Sequence, residues 1–151
     1  MQAMSPRGAE RAVVRTMRAL AITFAVVGTL FISTPDGVIG TLDDVGDWFG
    51  GFSPGPPTDE KFWLALGFAY MTVITGLALV ISTDPRRYRP MLLVLAAGKT
   101  ASSLAAGAFF VFDREVFIYL ANFVVDASLA GIALACFAIL GTSEVEARAP
   151  I

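Results

Sequence analysis

Histidine is absent from the 151-residue chain, cysteine occurs once, and charged residues make up only 16%. Without histidine there is no Ser-His-Asp triad, no Cys-His pair, and no histidine-ligated haem, chlorophyll or metal. A single cysteine, Cys136, excludes an intrachain disulfide, a zinc knuckle and thiol-disulfide exchange within the chain. It is expected to be an inert buried thiol. A soluble domain is typically about 25% charged. The shortage of charge here, set against 56% hydrophobic residues, points to a membrane rather than to water. A net charge of −2 offers no basic surface for nucleic acid. The length suits one domain, with no room for a large catalytic ectodomain beside the apolar stretches.

Crossing the ~30 Å hydrocarbon layer takes about 20 mostly apolar residues. Four stretches qualify, at about 15–33, 62–83, 90–112 and 116–140. The second carries no charge and ends at Asp84-Pro85, where proline disfavours helix in its predecessor. The third opens with Pro90, suited to a first helical turn, and is interrupted only by Lys99. The fourth is interrupted only by Asp126 and meets Gly141, the expected C-terminal cap, before a polar tail over 142–151. A cleaved signal peptide is the alternative for the first stretch, although Leu30, Phe31, Ile32 and Ser33 make a poor cleavage pattern.

Short loops rich in Lys and Arg stay on the cytoplasmic side of a membrane. Arg7, Arg11, Arg15 and Arg18 precede the first stretch, Arg86, Arg87 and Arg89 join the second to the third, and Arg148 follows the fourth. The other two connections hold only Lys61 and Arg114, against Asp36, Asp43, Asp44, Asp47, Asp59, Glu60, Asp113 and Glu115. Both termini are therefore expected in the cytoplasm of a bacterium, with the chain in its inner membrane. The four N-terminal arginines fall on one helical stripe, which anionic headgroups attract at ~1 kcal/mol per residue; membrane anchoring, or recognition of a lipid or partner, is expected of them.

The connection after the first stretch is patterned. Val38, Leu42, Val45, Phe49 and Phe52 recur at three- and four-residue spacing, with Asp43, Asp44 and Asp47 on the opposite, solvated face. An amphipathic helix at about 37–52 is expected, lying in the outer interface so that Trp48, Phe49 and Phe52 meet lipid or a partner. Gly50, Gly51 and the run Ser53-Pro54-Gly55-Pro56-Pro57 end it.

Lys99 lies nine residues into its span and Asp126 ten into the next, which places both ~14–15 Å deep from opposite faces. Only Asp113-Arg114-Glu115 joins the two spans, so they are antiparallel neighbours and the charges can meet. An unpaired charge at a helix centre costs ~2.5–3.5 kcal/mol, so pairing is the economical arrangement. Asn122, Ser102, Ser103, Tyr70, Thr72 and Thr75 lie at similar depth and extend the pair into a polar cluster. Four roles fit: a structural pair that fixes helix register, a proton or ion path, a site for a lipid, quinone or pigment head held without histidine, and recognition of another subunit. Small residues, Gly98, Ala101, Ser102, Ala105, Ala106 and Gly107 on one span and Ala127, Gly131 and Ala135 on the next, suit close helix packing. Gly98-Lys99-Thr100 is no phosphate-binding loop, because Leu93 occupies the place of its first glycine. The acidic cluster lacks the spacing of a calcium loop.

One span, an outer amphipathic segment and a three-helix remainder form a layout that resembles small bacterial four-helix membrane proteins of the DoxX-like kind. Phe62-Trp63-Leu64-Ala65-Leu66, Asp84-Pro85-Arg86-Arg87 and Gly98-Lys99-Thr100-Ala101-Ser102-Ser103 are similar to a family of like length, over roughly 30–140. The resemblance implies a bundle and brings no active site. The expected fold is an all-α integral membrane four-helix bundle with a short amphipathic helix in its first outer loop. The expected function is an accessory or scaffold subunit of an inner-membrane complex, locked by Lys99 and Asp126. A stand-alone carrier or binding protein using the polar midplane is the alternative.

Overall fold

The computed structural model describes residues 6–56 and 60–148, without the side chains of residues 6 and 143–148. Pro57, Asp59 and the last three residues of the expected tail lie outside the described residues. Five helices follow one another: α1 Pro6–Ser33, α2 Pro35–Phe49, α3 Lys61–Thr83, α4 Arg89–Phe112 and α5 Phe117–Arg148. Among the described residues the regular elements are all helices, and α1, α3, α4 and α5 are each long and apolar enough to cross a membrane.

Proline and glycine set most of the boundaries. Thr34 is the only residue between α1 and α2: its N–H still bonds Leu30 O, while Pro35, which lacks an N–H, starts the new helix. Gly50 and Gly51 adopt φ of 75° and 85°, a region that favours glycine, and α2 stops before them. The helix therefore ends at Phe49, short of the expected 52. At the other turn, Asp84 Oδ1 accepts the Arg87 N–H and Asp84 O accepts that of Tyr88, closing the link from α3 to α4.

Two helices run longer than their apolar stretches suggest. α1 extends back to Pro6, so Arg7, Arg11, Arg15 and Arg18 lie on the same helix as the first apolar stretch and all four are exposed. Their opposite face buries Ala9, Val13, Met17, Ala21 and Phe24 at steps of four, four, four and three. α5 does not stop at Gly141. It continues to Arg148 through Glu, Ala and Arg residues that favour helix, and the Arg89 guanidinium crosses over Gly141.

Each of the four long helices touches two others, in the cyclic order α1, α3, α4, α5, with the largest interfaces between α1 and α3 and between α4 and α5. Neighbours are antiparallel. Glu10 near the start of α1 pairs with Arg86 after α3. Arg89 at the start of α4 donates to Phe137 O late in α5 and stacks over the Phe137 ring. The core lies towards this arginine-rich end, where Val13, Met17, Ile81, Leu92, Leu95, Ala133 and Leu140 meet.

The opposite end is built differently. α2 lies against α1 and α5, and Gly46 lets it approach so closely that an added Cβ would come within 2.7 Å of Phe117 Cβ. The Ser53 N–H bonds Glu115 O at 2.9 Å, tying the chain after α2 to the α4–α5 turn. Phe52 lies off the helix, half-buried, packed on Phe110 and edge-on to Phe117. Asp43 is not on a purely solvated face either: both its carboxylate oxygens accept the Gly55 N–H.

Candidate functional site

Lys99 and Asp126 meet. Nζ lies 2.8 Å from Asp126 Oδ1, and each side chain is only 4% exposed. Helix register explains the meeting: Lys99 shares the inward face of α4 with Leu92, Leu95, Ala96, Ser103 and Ala106, and Asp126 shares that of α5 with Ala130, Ala133 and Leu140. The ammonium also lies 5.0 Å from the centre of the Phe24 ring and 5.4 Å from that of Tyr70. A carboxylate and two aromatic faces thus replace the water that the charge gave up.

The surrounding polar residues divide. Ser103, also buried, donates to Phe123 O at 2.8 Å and so braces α4 against α5. Asn122 donates to Ser102 at 3.4 Å, a long bond formed one turn away from Asp126, so neither joins the ion pair. Thr72 and Thr75 bond the carbonyls of Phe68 and Met71 within α3 and are not part of the cluster. Their own helix satisfies them, which spacing alone does not reveal. The Tyr70 hydroxyl is buried and has no hydrogen-bond partner among the described residues. The Ala127, Gly131 and Ala135 row faces outward, away from the α4–α5 seam.

A cleft of about 640 Å³ runs from the ion pair to α2. Phe24, Val27, Leu30 and Phe31 of α1, Val38 and Leu42 of α2, and Ile118, Val125 and Leu129 of α5 form its apolar walls, with Met71 and Lys99 contributed by α3 and α4. The lining on α1 runs from Thr23 to Phe31, a length of ~12 Å at 1.5 Å per residue, and continues through Thr34 onto α2. Thr23, Thr34 and Thr41 also border it, but their hydroxyls bond carbonyls one turn back. The polar groups left to the cleft are Asn122, Asp126 and Lys99. Phe24 was within reach of sequence reasoning, as the next member of the Val13, Met17, Ala21 face. The cleft itself was not, because it depends on how α2 sits across α1 and α5.

Trp48 and Phe49 are 83% and 72% exposed, and Phe49 also stacks on Phe117 at 5.8 Å between ring centres. No group of three or more His, Cys, Asp or Glu residues fit to hold a metal ion occurs among the described residues. Comparison with protein families, curated proteins and solved structures gave no match.

Proposed function

We propose that the chain is a four-helix bundle spanning a bacterial inner membrane, with both termini in the cytoplasm, and that it binds a lipophilic small molecule between α1, α2 and α5. The observation that carries this reading is the 640 Å³ cleft, apolar along its walls and ending on a buried ion pair. Ligand sites are usually concave, largely apolar and of about 300–1,000 Å³, with a few polar groups to fix orientation. Within the bundle, the Lys99–Asp126 pair holds α4 and α5 in register. The orientation is supported by the arginines gathered where α1 begins and α3 meets α4, and by Asp36, Asp43, Asp44, Asp47, Asp113 and Glu115 at the other end. The resemblance of the sequence to DoxX-like proteins implies a bundle of this kind.

The test is direct. Chain purified in mild detergent is extracted with organic solvent, and the extract and the intact protein are weighed by mass spectrometry. A lipophile retained in near-stoichiometric amount is expected. A chain that retains none and takes up no added lipophile would overturn the reading.

A second reading, an accessory or scaffold subunit of a membrane complex, draws on the outward row Ala127, Gly131 and Ala135, which suits close approach of another helix. Under it, a partner subunit co-purifies with the chain and is lost when Gly131 is replaced by Leu. Recovery of a monomer alone would rule it out.

A further inference from the structure

The base of the cleft carries no net charge, a property that neither Lys99 nor Asp126 has alone. The two cancel at 2.8 Å, and among the described residues no third charged one lines the cleft. A lipophile with a carboxylate or ammonium head would bring an unbalanced charge into this interior, at far greater cost than a hydrogen-bonded neutral head. The pair nevertheless has hydrogen-bonding capacity to spare. Among the described residues, Asp126 takes one hydrogen bond, at Oδ1, which leaves Oδ2 as an acceptor. The Lys99 ammonium has three N–H donors and gives one to Asp126.

A hydroxyl is the smallest head that can donate to Asp126 and accept from Lys99 at once. Size matters here, because both side chains are only 4% exposed, which favours a small head over a phosphate or sugar. Along the cleft, ~12 Å of wall on α1, continued by Val38 and Leu42 of α2, accommodates an extended alkyl chain.

We infer that the cleft selects an uncharged long-chain alcohol, its hydroxyl against the Lys99–Asp126 pair and its chain along α1 and α5 towards α2. This rests on the lipophile-binding function proposed above. The pair then acts as a neutrality filter as well as a brace between helices.

Native mass spectrometry of the detergent-purified chain tests this with dodecanol, dodecylamine, dodecanoate and dodecane competing in pairs. Dodecanol should outcompete each of the others by about tenfold, equivalent to ~1.4 kcal/mol. In Asp126→Asn the Lys99 charge is unbalanced and preference should pass to dodecanoate; in Lys99→Met it should pass to protonated dodecylamine. Should either variant fail to fold, the wild-type rank order still decides selectivity. Val27→Trp, which fills the cleft from α1, then decides location by abolishing dodecanol binding. Equal binding of charged probes or of dodecane, or binding unaffected by Val27→Trp, overturns the inference and leaves lipophile binding in place. Failure of all four probes to bind overturns the inference, and lipophile binding then falls only if the solvent extract of the purified chain is also empty.

Discussion

Removing one member of a buried ion pair is costlier than removing both, because the survivor keeps its desolvation cost and loses its partner. At 4% exposure, Lys99 and Asp126 are placed where this asymmetry is large. Asp126→Leu or Lys99→Met alone should destabilise the chain by ~3–5 kcal/mol, and the double substitution by clearly less. Unfolding in mixed micelles, followed by helical circular dichroism, checks this. Singles as stable as wild type would show that the pair does not hold α4 to α5. The pair was legible in the sequence because depth and antiparallel connection bring two charges to one level. Its aromatic surroundings were not, since Phe24 reaches Lys99 from a helix remote in sequence. Asn122 shows the opposite limit. It lies one turn from Asp126 on α5, yet it turns to Ser102, and helix spacing does not choose between two partners.

Elements were legible where a single physical signal dominated. α3 and α4 begin and end within a residue of expectation, because charge, Asp84-Pro85 and Pro90 coincide at their limits. α5 was misread because Gly141 resembles a cap while the residues after it still favour helix. α2 was legible as amphipathic, but its pattern runs on to Phe52 whereas positive φ at Gly50 and Gly51 ends the helix at Phe49. What seats α2 is the bare backbone of Gly46 against Phe117. Gly46→Val would drive a Cβ to within 2.7 Å of Phe117 Cβ, so α2 must shift, at a cost of ~1–3 kcal/mol for overpacking. Because Val38 and Leu42 form part of the cleft, the same substitution should weaken lipophile binding. Faster proteolysis near residues 50–60, together with reduced ligand retention, is the expected result; unchanged values for both would show that α2 is not seated by this contact.

At the scale of the whole molecule, charge is segregated between two ends that the packing keeps apart. Glu10–Arg86 and Arg89–Phe137 join the start of α1, the α3–α4 turn and the later part of α5 at one end. The Ser53–Glu115 bond joins the chain after α2 to the α4–α5 turn at the other. If the four apolar helices cross a membrane, Arg11 and Arg87 must share one side and Asp44 must lie on the other. The basic side is expected to be the cytoplasm. Single-cysteine variants at these positions, made in a Cys136→Ala background, test the arrangement. Cys136 is itself buried, so its removal serves only to silence a weak background signal. With a membrane-impermeant maleimide on intact spheroplasts, Asp44→Cys should label at once. Arg11→Cys and Arg87→Cys should label only after lysis, and all three should be modified to a similar extent in detergent. The reverse pattern would invert the orientation and leave the helix packing untouched. Labelling of Arg11→Cys and Arg87→Cys from opposite sides would mean that α1 and α3 do not both cross, and the four-span bundle would fall with it.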